Sequence, residues 1–382
     1  MKHQMFVAFA LSVGLAVLSK PSQSRACTAF MLHHGGHVLM AKSYDWHTVD
    51  GLLMTNKARV TKKALVLAGR GTKVATWTSR YGSITFNQYG RELPVGGMNE
   101  AGLAIEVLWL HRTDYGRPAP SQAALNELQW IQYFLDTCAT VAEMIQRAKT
   151  VAVIPLYARV HYFACDRTGR CATFEYLSGR LMVHHGATLP FPVLTNHTYQ
   201  ASSTAMRSFL VATSRQAMPS GPGSLARFIR AAALVRRQTR SHGLVSRALA
   251  ILASVRQPRM TKWQIIYDLT GRRIGYRVVG KGALRWVRLA GRRFFCAAPV
   301  MIRDVAGTVK PRYVRHWGRY SFAINRDLIR KTASHLGSKL PSYVIDLVAR
   351  YPQTATCNRS HRRAGRSGRV GRSDLQQITK RQ

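Results

Sequence analysis

Cys27 is the first residue whose type and position could do chemistry. It stands directly after Ser24-Arg25-Ala26, where a short basic start (Lys2, His3) and an apolar run from Phe6 to Leu18 end in a small-residue junction. That layout reads as an export leader removed before Cys27. A thiol there has three readings. Lipidation wants an aliphatic residue three before the Cys with small residues between, and Ser24, Arg25 and Ala26 do not supply that. A structural disulfide is the second. The third is a nucleophile whose own freed α-amine acts as the base. Position alone leaves the last two open.

The other cysteines are Cys138, Cys165, Cys171, Cys296 and Cys357, an odd set, so one stays unpaired if Cys27 is free. Cys165 and Cys171 flank an Asp/Gly turn between β-rich runs and suit a cross-strand disulfide. No metal pattern appears. The adjacent pairs His33-His34 and His184-His185 cannot both point one way on a strand and read as surface or loop residues. No cofactor is expected.

The 382 residues hold 57 Lys and Arg against 16 Asp and Glu, a formal charge of +41, with 46% hydrophobic residues. Such a chain folds, and its charge draws anions without choosing among them. No helix-turn-helix, zinc-finger or RNA-sheet motif appears, so a specific nucleic-acid partner is not expected. Glu100 and Glu106 are rare acids that should pair with neighbouring cations.

The elements that must position this chemistry come in blocks. Cys27 to Leu32, His37 to Met40, Ala64 to Leu67, Ile84 to Asn87 and Leu103 to Leu110 read as strands. Ala123 to Asp136 reads as a helix, and Thr140 to Glu143 as a capping box opening another. Strands return from Arg159 to His184. Helical runs follow at Ala205 to Gln216, Leu225 to Arg237 and Gly243 to Val255, then strands at Trp263 to Val279 and Gly282 to Phe295. Blocks of this kind predict layered α+β packing. Three parts are expected: a leader over 1–26, a domain over 27–357 and a basic tail over 358–382.

Ordered motifs then carry a resemblance. Cys27-Thr-Ala-Phe30, Lys42-Ser-Tyr-Asp45-Trp46, Tyr81 to Pro94, Gly97-Met-Asn-Glu-Ala-Gly-Leu103, Leu194-Thr-Asn196 and Ser224-Leu-Ala-Arg-Phe-Ile229 resemble the choloylglycine hydrolase family of penicillin V acylases and bile salt hydrolases. The resemblance implies a four-layer αββα sandwich of the N-terminal nucleophile hydrolase type and hydrolysis of linear amides. It implies Cys27 as nucleophile, Asp45 orienting the N-terminal amine, Asn196 as oxyanion donor and Arg227 as a charged site residue. Lys42 stands where many relatives have Arg, keeping charge without the planar fork. Trp109 stands where bile-salt-hydrolase-like members have Asn. Trp46 and Trp109 would suit an apolar or aromatic acyl group, and Tyr81 joins them as a candidate substrate contact.

The leading expectation is therefore a periplasmic or secreted cysteine amidase acting on a small amide, anionic or with an apolar acyl group, through a thioester. A homotetramer and adhesion to an anionic envelope surface accompany it. The alternative is a catalytically decayed member that serves as a cationic envelope-binding protein.

Overall fold

A computed structural model describes residues 27–357 apart from 68, 70, 213–216, 238–242, 308–316 and 336–339. The expected leader and basic tail lie outside the described residues. The chain opens with β1 (Thr28–His34), β2 (His37–Asp45), β3 (Leu52–Asn56), β4 (Val60–Lys63), β5 (Thr76–Thr78), β6 (Ser83–Asn87), β7 (Pro94–Asn99) and β8 (Ala104–Trp109). Next come β9 (Ala123–Leu125), helices α1 (Gln129–Thr137) and α2 (Val141–Ala148), then β10 (Val151–Val153), β11 (Val160–Cys165), β12 (Cys171–Leu177), β13 (Arg180–His185) and β14 (Val193–Leu194). Helices α3 (Tyr199–Val211), α4 (Ser224–Arg236) and α5 (Leu244–Ser254) precede β15 (Thr261–Asp268), β16 (Arg273–Val278), β17 (Lys281–Arg288), β18 (Met301–Asp304) and β19 (Gly318–Arg319). The described chain closes with α6 (Phe322–His335), α7 (Ser342–Arg350) and β20 (Thr356–Cys357).

Two large sheets organise these elements. One has six strands in the order β14-β1-β2-β15-β16-β17, the other nine in the order β13-β12-β11-β8-β7-β6-β3-β18-β19. They meet face to face: Phe86 of β6 packs its ring against Trp263 and Tyr267 of β15 and Tyr276 of β16. Helices α4 and α5 cover the outer face of the six-stranded sheet at β1 and β2, and α1 covers the nine-stranded sheet at β7 and β8. The result is the expected αββα sandwich. Central strands are covered on both faces and read as continuous buried runs, as Leu52–Asn56 and Val160–Cys165 do. Phe86 is wholly buried, and truncating such a ring to Ala costs about 3–5 kcal/mol.

The β1–β2 hairpin sets the site. His34 pairs with His37 across Gly35 and Gly36, whose φ of +55° and +76° fit the two-residue turn that matches strand twist. The resulting register, Thr28 opposite Ser43, carries Cys27 to the end of β2 beside Asp45. Strand β15 then lies along β2 with Thr261 opposite Asp45 and a bulge before Trp263.

Several sequence expectations shift. Ala123–Leu125 is a strand paired in parallel with Val151–Val153, and the helix starts only at Gln129. Asn126 explains the delay, because its Oδ1 accepts the N–H groups of Leu128 and Gln129. The strand expected at Ala64 lies earlier, at Val60–Lys63. Beyond Arg288 the last expected strand gives way to irregular chain. Thr140 does cap α2, accepting the Glu143 N–H at 3.2 Å.

Cys165 and Cys171 face each other across β11 and β12 and are disulfide-bonded, as expected. Cys296 pairs with Cys357, while Cys27 and Cys138 are free and buried. Glu106 pairs with a cation, whereas Glu100 caps the Gly82 N–H at 2.8 Å.

Candidate active site

Cys27 is 5% exposed, and its Sγ lies 3.7 Å from the Asp45 carbonyl oxygen. Arg227, from the first turn of α4, reaches in beneath it. One guanidinium nitrogen donates to the Cys27 carbonyl at 2.7 Å and to Thr28 Oγ1 at 2.6 Å. The other donates to Asn196 Oδ1 at 3.1 Å, and Nε donates to the Pro222 carbonyl at 3.0 Å. From sequence alone this Arg, in an Arg-rich helical run, would read as solvated; the structure buries it completely. Asn196 follows β14, with its backbone N–H on Ser224 Oγ at 2.8 Å and its Nδ2 on the Trp109 carbonyl at 2.7 Å. A carboxamide carries two N–H donors, so a second remains to meet an oxygen in the site.

Asp45 is buried under three donors: Ser43 Oγ at 2.9 Å and Thr261 Oγ1 at 2.6 Å on one oxygen, Gln257 Nε2 at 2.5 Å on the other. Lys42 projects between the sheets, its Nζ 2.5 Å from Glu106 Oε2 and donating to the Val107 carbonyl. Tyr267 donates to the other Glu106 oxygen. Room for that carboxylate comes from Gly96, directly opposite on β7, where a Cβ would lie 2.3 Å from Glu106 Oε2. Lys42 thus sits beside the thiol as half of a dry ion pair.

Burial pushes the Cys27 thiol up to about 11, against the pull of Lys42 and Arg227 in the other direction. Asp45 is likewise raised by burial, against its hydrogen-bond donors and Arg227. Burial lowers Arg227 to about 10, which leaves it charged at neutral pH. A thiol flanked by two cations and a carboxamide donor can attack an electrophilic carbon and hold the oxyanion that forms, once something removes its proton.

An aromatic wall borders this cluster. Trp46 is 9% exposed, with ring centroids 6.3 Å from Trp109 and 6.5 Å from Tyr44. Trp109 is half-buried and also meets Tyr157 at 6.4 Å. Its carbonyl engages Asn196, a backbone link that Trp in place of Asn leaves intact.

Tyr81 does not join the site. Its N–H donates to the Asp136 carbonyl at the end of α1, and its ring lies under Arg80. Phe86 is the β6 residue in register with Gly96 and Glu106, and Tyr81 stands five residues before it, at about 3.3 Å per extended residue. The motif around Tyr81 instead supplies strands β6 and β7.

Gln257, Thr261, Ser224 and Glu106 hold the cluster in place without having been assigned a site role from sequence. Gln257 and Thr261 reach Asp45 across more than 200 residues, which no local pattern announces. Ser224 alone lies inside a quoted motif.

The fold is the four-layer αββα sandwich of the N-terminal nucleophile hydrolase type. The model of the linear amide C-N hydrolases, choloylglycine hydrolase family, matches residues 27–270, and the chain belongs to that family. Penicillin V acylase of Pectobacterium atrosepticum is 31% identical over an alignment of 205 residues that covers 49% of this chain and 52% of that protein. The match thus spans about half the length of that curated relative. Among solved structures, penicillin V acylase from Agrobacterium tumefaciens superposes with a TM-score of 0.64 at 24% identity, over 73% of this chain and 91% of that one. A variant of conjugated bile acid hydrolase from Clostridium perfringens gives 0.61 at 15%, over 77% and 97%. These likenesses establish the fold.

Proposed function

We propose that the chain is an exported amidase whose catalytic form begins at Cys27. Loss of residues 1–26 frees the Cys27 α-amine, held by Asp45. The amine takes the thiol proton, and the sulfur attacks the amide carbonyl. Asn196 donates to the oxyanion while Arg227 and Lys42 stabilise negative charge. Collapse breaks the C–N bond, the amine proton leaves with the departing amine, and a thioester remains. Water, activated by the same amine, then releases the acid and restores the thiol. The sum is amide plus water to carboxylic acid plus amine, with no cofactor.

The observation that carries this reading is the convergence of Lys42, Asp45, Asn196 and Arg227 on Cys27, within a chain of this family. Trp46 and Trp109 favour an aromatic or long apolar acyl group, such as that of penicillin V or an N-acyl homoserine lactone. A periplasmic or secreted location, a homotetramer, contact with an anionic envelope surface, and the division into leader, 27–357 domain and tail belong to the same proposal. Purified protein beginning at Cys27 should release amine from penicillin V and form a transient adduct one acyl group heavier. Retention of full turnover by Cys27→Ala would overturn it.

A further inference from the structure

We infer that His161 is a positioning residue for Asn196, locked in place by Glu175; the inference rests on Asn196 being the oxyanion donor proposed above. His161 lies on β11 opposite Leu108, with Phe163 opposite Glu106, so it shares the face that points between the two sheets. It is wholly buried, as is Glu175. Its Nε2 stands 2.7 Å from the Thr195 carbonyl, and its Nδ1 stands 2.8 Å from Glu175 Oε1.

Donor counting fixes one proton. A carbonyl oxygen only accepts, so Nε2 carries a hydrogen. Glu175 accepts the Tyr199 N–H on both oxygens, at 2.9 and 3.1 Å, and His184 Nε2 lies 4.0 Å from Oε2. The Nδ1–Oε1 contact takes one further hydrogen, which either atom can carry. The half-buried His184 of β13 and Tyr199 of α3 are titratable groups set against the His161–Glu175 pair.

The consequence falls on the next residue. His161 holds the carbonyl of Thr195, Ser224 donates to Thr195 Oγ1 at 3.0 Å, and the Asn196 N–H donates to Ser224. The peptide entering Asn196 is clamped on both sides, while Trp109 and Arg227 fix its carboxamide. Glu175 also anchors the first N–H of α3, which leaves the same loop. An oxyanion donor acts only where its N–H is aimed in advance, so this clamp is where the aim is set.

The test compares the enzyme beginning at Cys27 with His161→Gln, which retains a donor nitrogen but cannot span both partners, and with Glu175→Gln. On penicillin V, kcat should fall about 10- to 100-fold, the scale of a small misplacement of a reacting group, with KM within about twofold and Cys27 alkylation unchanged. The double variant, with two carboxamides in place of the buried pair, guards against a failure to fold. Independently, the Asn196 side-chain amide resonances should shift in each variant. Unchanged kcat in an active background or an unmoved Asn196 amide each overturns the inference. A wild type that ignores penicillin V while the Asn196 amide still responds to His161→Gln removes the proposed function and leaves the clamp standing.

Discussion

The Arg227 guanidinium holds the carbonyl of Cys27 at 2.7 Å across 200 residues of chain. One side chain thereby ties the first turn of α4 to the start of β1 and to Asn196. Lys at this position keeps the charge but not the fork. Arg227→Lys should lower stability by about 1.5–3 kcal/mol for each charged hydrogen bond it fails to remake, and reduce turnover at least tenfold. Urea unfolding beside steady-state kinetics would check this, and unchanged values in both would remove Arg227 from the proposed machinery.

Thiol reactivity should report processing. In the chain as it stands, Cys27 carries a peptide nitrogen and its thiol is pushed up to about 11. A raised thiol keeps its proton, so at pH 8 only about one in a thousand is thiolate, and alkylation should climb tenfold per pH unit to about 11. Freeing the α-amine supplies a group that ordinarily titrates at about 7.7–8.0, and the alkylation profile should then level off near that range. Cys138, also raised to about 11 by burial, is the internal control and should not change. Identical profiles for full-length and Cys27-started protein would count against the amine as base.

Gly96 makes the Lys42–Glu106 pair possible. A methyl group there meets the carboxylate, so Gly96→Ala should break the pair or push the strands apart, costing about 1–3 kcal/mol from overpacking alone. Glu106→Gln, which strands Lys42 without its counter-charge in a site 0% exposed, should cost more, about 3–5 kcal/mol. Both should depress turnover through Lys42. Thermal denaturation of the two variants tests the order, and a harmless Glu106→Gln would mean that Lys42 has another route to neutrality.

Trp109 should govern binding more than chemistry. Its carbonyl holds Asn196 and its ring joins the aromatic wall, so Trp109→Ala leaves the first contact and removes the second. KM for an aromatic acyl substrate should rise about tenfold, as expected for the loss of roughly 1.5 kcal/mol of ring contact, with kcat within a fewfold. A collapse of kcat at constant KM would place the ring in the chemistry instead.

How much of this was legible varies residue by residue. Thr140, the Cys165–Cys171 turn and the strand and helix blocks announced themselves, because each depends on neighbours within a few positions. Cys27 and Asp45 were readable as motifs, but their adjacency depends on the Gly35–Gly36 turn fixing a hairpin register. Asn126 delaying α1 was written in the local sequence too, as a helix-start residue three before Gln129, yet the apolar run across Ala123 masked it. Gln257, Thr261 and His161 left no local trace, since their meaning lies in partners 14 to 216 residues away. Tyr81 shows the opposite failure: membership of a motif said nothing about which end of the strand faces the site.

The burial of acids sharpens the meaning of +41. Among the described residues nine acids are buried: Asp45, Glu92, Glu106, Glu127, Asp136, Asp166, Glu175, Asp268 and Asp304. Several serve the backbone, where Glu127 accepts N–H groups from Leu156, Tyr157 and Ala158, and Asp304 those of Ala306 and Gly307. With these acids inside, the exposed charged groups are more one-sidedly cationic than the formal charge alone conveys. For an anionic amide such as penicillin V, kcat/KM should fall severalfold between 20 and 500 mM salt through KM, because screening at about 0.1 M already acts within about 10 Å. An uncharged amide substrate should show no such slope. Equal salt dependence for both would mean that the cationic exterior plays no part in bringing substrate to Cys27.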